Sequence, residues 1–237
     1  MPALLEIEGL TSGYGPVAVL HEVGLRVEAG ETVCVLGANG AGKSTLVNTI
    51  AGILRPRAGH VRLDGEDVSG LKPEALARKG LSLVRQGRSV FPYMTVQENL
   101  DMGGWLMADR ARLAERREAI FSMFPVLKER RNQMAGAMSG GEQKMLEIGR
   151  SLLMPLKLLM LDEPSLGLSP KMRDLIFARI RDFNRSGLAV LLVEQNAFEA
   201  LAISSRAYVL ELGRIGLEGS SAELMSDRRV REHYLGA

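Results

Sequence analysis

Of the 237 residues only one is cysteine, Cys34, so no disulfide can form within the chain. A secreted scaffold held by cross-links is thereby excluded, and a reducing compartment is the expected setting. Cys34 lies in the apolar run Thr32–Leu36, which reads it as a small buried hydrophobe rather than a reactive thiol. Charge of one sign is also lacking. Thirty Lys and Arg against 28 Asp and Glu leave a net charge of +2, and no block of like charges points to nucleic acid as a partner. The pairs Arg116-Arg117 and Arg130-Arg131 are expected on solvated helix faces. A long apolar run is missing as well: the stretch 152–161 is interrupted by Pro155 and Lys157 and falls well short of a bilayer span. The opening Met1-Pro2-Ala3-Leu4-Leu5-Glu6 has neither the basic nor the apolar block of a signal peptide. Internal repeats are absent too. The expectation is a cytosolic globular protein, or one that reaches a membrane only through a partner.

What is present is an alternation of short apolar runs with helix-period segments, the pattern of an α/β fold with a largely parallel sheet. Runs 32–36, 81–84, 158–161 and 188–193 read as buried strands. Hairpin-like stretches flank them: 4–10 with 23–27 before, and 208–212 with 215–217 after, the latter joined around Gly213-Arg214. From about Thr95 to Leu153 the signal is helical, and 109–124 is rich in Ala, Arg and Glu. The expected organisation is one domain over 1–237, with a core of about 1–87 and 154–237 and a helical lobe of about 88–153 inserted into it.

The glycine-rich stretch Gly37-Ala38-Asn39-Gly40-Ala41-Gly42-Lys43-Ser44-Thr45 follows the first buried run. It has the spacing of a phosphate-binding loop between a strand and a helix, the helix marked by Leu46, Ile50 and Ile53. Glycines let main-chain N–H groups wrap a phosphate, and the helix N-terminus favours negative charge. Lys43 reaches the β- and γ-phosphates of a nucleoside triphosphate, and the Ser44 hydroxyl suits Mg²⁺.

The run Leu158-Leu159-Met160-Leu161 ends in Asp162-Glu163, two carboxylates at the sheet edge that faces the loop. Asp162 is placed to hold Mg²⁺ through water, and Glu163 to take a proton from an attacking water. A second helix start, Ser139-Gly140-Gly141-Glu142-Gln143, has the form of a capping box. Its paired glycines leave the helix end open to an anion. Two phosphate-binding helix ends in one chain are most simply reconciled by a dimer in which each nucleotide is closed by the second helix end of the other chain.

With these motifs the chain resembles an ATP-binding-cassette (ABC) transporter ATPase along essentially its whole length, Ser139–Gln143 standing as the signature segment after Met138. The resemblance implies the P-loop NTPase fold: a mostly parallel core sheet, an antiparallel β subdomain and an inserted helical subdomain. It implies ATP and Mg²⁺ as cofactors. Tyr14 matches the adenine-stacking aromatic, and Gln86 the loop glutamine that contacts Mg²⁺. Gln195 stands where a switch histidine is usual, a catalytic position that here offers an amide donor and no charge. Ser169 replaces the aspartate that usually follows Ser165-Leu166-Gly167-Leu168.

A narrower likeness, to the smaller ATPase of importers of branched-chain and other hydrophobic amino acids, rests on Gly37-Ala38-Asn39-Gly40-Ala41-Gly42, Thr95-Val96-Gln97-Glu98-Asn99-Leu100 and Asp162-Glu163-Pro164-Ser165-Leu166-Gly167-Leu168. Val193-Glu194-Gln195-Asn196 and the ending Tyr234-Leu235-Gly236 add to it. It implies a second, non-identical ATPase subunit, two permease subunits and a periplasmic solute-binding protein as partners. It also implies residence at the cytoplasmic face of the inner membrane. Importers of urea or amides, where glutamine occurs at the position of Gln86, and compact exporter ATPases are the alternatives. Soluble cassette proteins usually carry two cassettes or a long inserted coiled coil, and this chain has neither, while the signature at Ser139 argues against a GTPase or a small-molecule kinase.

Overall fold

Two sheets carry the molecule, and the computed structural model describes residues 3–235 of it. The first sheet is antiparallel, with order β2-β1-β4-β5, and comprises β1 (Leu5–Tyr14), β2 (Val17–Val27), β4 (Ala58–Leu63) and β5 (Glu66–Asp67). The second has order β10-β9-β3-β8-β7-β6. Its strands are β3 (Thr32–Leu36), β6 (Leu81–Val84), β7 (Leu158–Asp162), β8 (Ala189–Glu194), β9 (Arg206–Glu211) and β10 (Arg214–Ser220). Strands β9, β3, β8, β7 and β6 run parallel, and β10 returns antiparallel along β9. Every residue of β3, β7 and β8 is buried, as expected of strands covered on both faces.

The pleat of these strands divides two cores. Cys34, Leu36, Leu159, Leu161, Val190 and Leu192 face one, while Val33, Val35, Leu158, Met160, Leu191 and Val193 face the other. Helix α1 (Lys43–Ile50) packs on the second face through Leu46, Val47 and Ile50. Helix α2 (Pro73–Arg78) leads into β6. Between β6 and β7 the chain forms α3 (Val96–Gly103), α4 (Arg110–Met123), α5 (Pro125–Glu129), a short 3₁₀ turn (Ala135–Ala137) and α6 (Gly140–Ser151). These pack on the first face through Leu100, Ile120, Phe121, Leu127, Met145 and Ile148. Helix α7 (Pro170–Arg185) and α8 (Ala197–Leu201) follow, and α9 (Ser221–Ser226), α10 (Arg228–Val230) and a π-helical turn at Arg231–Leu235 close the described chain. Met1, Pro2 and Gly236, used in the sequence reading, lie outside the described residues.

Several expectations are corrected. The hairpin expected of 208–212 and 215–217 forms, but it does not flank the core: β9 lies inside the parallel sheet beside β3. Its hairpin with β10 turns on Leu212-Gly213, at φ 47 and 77°, so Leu212 is an exposed turn residue. Left-handed conformation at both central positions suits the twist of a two-residue hairpin. The same device at Asp64-Gly65, φ 55 and 78°, joins β4 to β5, a pair the apolar pattern did not reveal. Ile53 falls beyond the end of α1 and is exposed.

The arginine pairs are not simply solvated. Arg116 donates to the carbonyls of Leu152, Leu153 and Met154 at 2.9, 2.5 and 2.9 Å, where α6 ends. Arg117 pairs with Asp101 at 2.6 Å, and Arg130 with Glu142 at 3.2 Å. Cys34 is buried, and burial pushes its thiol well above the ordinary range, which leaves it inert.

Candidate nucleotide site

Strand β3 ends at Leu36, and the loop turns at once because Gly37 sits against β9: a Cβ there would lie 2.6 Å from the Leu210 carbonyl. Gly42, at φ 108°, forms the N-cap of α1, and its missing side chain makes room for Leu20. No side chain caps this helix end and no acid stands in its first turn, so its N–H groups and dipole remain available to an anion.

Lys43 is 5% exposed. Its Nζ donates to the carbonyls of Gly37 and Ala38 at 2.8 and 3.1 Å and lies 3.1 Å from Glu163 Oε1. Glu163 Oε2 accepts from Gln86 Nε2 at 2.9 Å. One carboxylate thus bridges the loop lysine and the glutamine that follows β6. Glu163 holds φ at 47°, a conformation that costs a non-glycine residue about 1–3 kcal/mol and collects at functional sites. Its N–H donates to the Val193 carbonyl at 2.8 Å, which anchors the turn to β8. Tyr14, Val19, Asn39, Gly40, Gly42, Lys43, Ser44, Thr45, Gln86 and Glu163 line one cavity of ≈ 270 Å³, with Tyr14 half exposed at its mouth.

Asp162 follows Leu161 in the pleat and so turns to the face that carries α1. It is 3% exposed, and its Oδ1 has no hydrogen-bond partner. Burial raises its carboxyl, the Ser44 hydroxyl pulls the other way, and the neighbouring Glu163 charge adds to the rise. A buried acid with an orphaned oxygen next to a serine at a helix N-terminus is a donor set that fits a hydrated divalent cation.

The second helix end is built as its sequence suggested. Ser139 caps α6: its side chain accepts from the Glu142 N–H at 3.4 Å, and Glu142 Oε2 accepts from the Ser139 N–H at 2.9 Å. Ser139 is exposed and Gly140 partly so, whereas Gly141 is buried, where a Cβ would come within 2.7 Å of Met172 on α7. Gln143 turns inward, donating to the carbonyls of Ala135 and Met138 at 3.0 and 3.2 Å. No residue of α6 lines the cavity around Lys43. Gln195 is exposed beyond β8 and is likewise outside that lining.

Two side chains were not assigned roles from the sequence. Glu194, 2% exposed, accepts from the backbone N–H groups of Ser165 and Gln195 at 3.1 and 3.3 Å, with its carboxyl raised by burial. It fixes the chain on both sides of the sheet edge. Its signal was the one that exposed Asp162, an acid directly after an apolar strand. Arg130 offsets the Glu142 charge at the α6 N-terminus, a contact that sequence spacing does not reveal.

A glycine loop holding a lysine, with a strand-end acid pair beside it in one cavity, is the arrangement of a nucleoside-triphosphatase. Residues 20–166 match the family model described as ABC transporter, and the chain belongs to that family. It is an ATP-hydrolysing, nucleotide-binding cassette. It is 46% identical, over 98% of its length and 100% of the relative's, to the high-affinity branched-chain amino acid transport ATP-binding protein BraG of Pseudomonas aeruginosa. It is 36% identical, over 100% of its length and 98% of the relative's, to the lipopolysaccharide export system ATP-binding protein LptB of Acidithiobacillus ferridurans. A solved ABC-transporter cassette in its ADP conformation superposes with a TM-score of 0.88 at 28% identity, covering 100% of both chains.

Proposed function

We propose that the chain is the ATPase subunit of an importer for branched-chain or other hydrophobic amino acids, working at the cytoplasmic face of the inner membrane. The substrate class is supported by the 46% identity to a relative named for branched-chain amino acid transport. The division of labour is supported by one geometric observation: the α1 N-terminus opens into the Glu163 cavity and the α6 N-terminus does not. In the proposed assembly a second, non-identical ATPase subunit brings its own signature end to this chain's Lys43, and Ser139–Gln143 serves the partner's nucleotide. Two permease subunits, fed by a periplasmic binding protein, receive the motion. Exposed aromatics beside the Gln86 loop, Tyr93 at 91% and Trp105 at 66%, support a docking surface of this kind.

Within the site, Gly37–Thr45 wraps the phosphates and Tyr14 stacks on adenine. Lys43 exchanges its contact with Glu163 for the β- and γ-phosphates, which frees the Glu163 carboxylate to take a proton from water. Ser44 and Gln86, with Asp162 acting through water, would hold Mg²⁺, which would supply charge compensation. Gln195 offers an amide donor from the β8 side.

The test is reconstitution of the chain with its permeases, companion ATPase and binding protein in vesicles. ATP-dependent uptake of labelled leucine is expected with the natural chain. Glu163→Gln is expected to keep ATP binding, accumulate as the ATP-bound dimer on size exclusion, and lose nearly all turnover. Failure to take up any branched-chain or hydrophobic amino acid would reject the substrate class. A Glu163→Gln chain with normal turnover would reject the role of this carboxylate.

A further inference from the structure

Helix α6 carries an ion pair that the nucleotide chemistry does not use. Lys144 and Glu147 are 6% and 1% exposed, and Lys144 Nζ lies 2.6 Å from Glu147 Oε2. The remaining capacity of both groups goes to one segment, the loop that carries Gln86. Lys144 Nζ donates to the carbonyls of Gly87 and Arg85 at 2.9 and 3.4 Å, and Glu147 Oε1 accepts from the Ser89 N–H. One turn further along the same face, Arg150 donates to Ser89 Oγ at 2.9 Å and sits over the Phe91 ring, 5.2 Å from its centroid. Residues three apart on a helix share a face, so 144, 147 and 150 form a stripe that grips residues 85–91.

The Gln86 side chain points the other way, onto Glu163. A buried pair of this kind contributes little net stability, because desolvation offsets its attraction. Its hydrogen bonds do fix one register of loop against helix, which apolar packing alone would leave free to slide.

We propose that Lys144 and Glu147 are positioning residues that make the Gln86 loop and the α6 N-terminus move as one body. A change at this chain's own nucleotide, felt by Gln86, is thereby passed to Ser139–Glu142, the end offered to the partner's nucleotide. This rests on the shared-site reading above and adds a specific linkage between the two sites.

The test is hydrogen exchange on the purified full chain, dilute enough to be monomeric by size exclusion, with and without Mg²⁺–ATP. The monomer's signature end does not line its own nucleotide cavity, so any response there has travelled through the protein. In the natural chain, amides in 85–91 and 139–143 are expected to respond over the same ATP range. In Lys144→Met/Glu147→Leu the first response is expected to persist and the second to fall at least about threefold. The Kd for ATP should stay within about twofold, and kcat of the reconstituted complex should fall about tenfold, the scale of a small misplacement.

If both segments respond in the variant as in the natural chain, or if kcat is unchanged, the proposal is overturned. Should the double variant fail to melt cooperatively, Glu147→Gln replaces it. That change keeps size and an acceptor for Ser89 but removes the counter-charge of Lys144, so a smaller loss of the 139–143 response is expected and none overturns the proposal. A natural chain that binds ATP with no change at 139–143 refutes the linkage and leaves the ATPase reading intact. One that does not bind ATP refutes both.

Discussion

Asp162 shows how one residue trades stability for function. Its carboxyl is buried, its Oδ1 is unpaired, and both desolvation and the adjacent Glu163 disfavour its charge. A buried charge with one oxygen unpartnered, and only the Ser44 hydroxyl and nearby cations to offset its burial, is destabilising unless a ligand compensates it. Asp162→Asn is therefore expected to raise Tm in the absence of nucleotide by roughly 2–4 °C, the equivalent of about 1 kcal/mol in a chain of this size. The same variant is expected to lose the further rise that Mg²⁺–ATP gives the natural chain over ATP alone. Thermal melts under the three conditions check both halves, and a lowered nucleotide-free Tm would contradict the argument. This residue was legible in the sequence because its cue is local, two acids closing an apolar strand. Glu194 carries the same cue after β8 and was passed over, since nothing in the sequence shows that its carboxylate anchors Ser165 and Gln195.

Capping boxes make the helix starts the most readable elements. Ser139 with Glu142 was recognised, and the structure builds Thr95 with Glu98 and Ser220 with Glu223 in the same way. Strands were harder where twist, not hydrophobic period, defines them. The Asp64-Gly65 and Leu212-Gly213 turns are set by backbone conformation, so β4, β5 and the true β9–β10 turn escaped a reading based on apolar runs. The α6 start poses an electrostatic question that its sequence cannot answer. In the proposed assembly a capping glutamate places a negative charge at the helix end offered to the partner's phosphate, and Arg130, 3.2 Å from Glu142 Oε1, offsets it from α5's C-terminal end. Arg130→Ala should hardly change Tm, because its side chain is 41% exposed and such pairs contribute little to stability. It should weaken ATP-driven dimerisation in the Glu163→Gln background about threefold to tenfold, while ATP binding by the monomer is unaltered. Sedimentation at graded protein concentration measures this, and equal dimer affinity would show that the Glu142 charge is not felt at the interface.

At the scale of the molecule the two sheets must be held at a fixed angle, because Tyr14 belongs to one and Lys43 opens the helix that follows strand β3 of the other, and both line one cavity. Arg206, at the start of β9, does this: it pairs bidentately with Glu31 at 2.8 and 3.0 Å and donates to the Arg26 carbonyl of β2 at 3.0 Å. Tyr208 Oη accepts from the Arg26 N–H at 3.2 Å and from Arg206 at 3.1 Å. Partners 175 residues apart in sequence leave no pattern that a linear reading can find, although the α/β class and the phosphate loop were plain. Burial of Glu31 raises its pKa, but the Arg206 hydrogen bonds and the Glu28 N–H outweigh it and hold the carboxyl below its ordinary value of 4.5. A carboxyl depressed in the folded state contributes stability that is fully present above its unfolded pKa and is lost as pH falls through the folded one. Glu31→Gln is thus expected to lower Tm at pH 7 by about 5 °C, from the loss of roughly 2 kcal/mol in charge-assisted hydrogen bonds. The gap between natural chain and variant should be constant from pH 7 to about pH 5, narrow below about pH 4.5, and close once Glu31 is protonated in both states. Melting curves of the two chains across that range decide it: a gap that widens on acidification would mean that Glu31 does not hold the sheets through its charge.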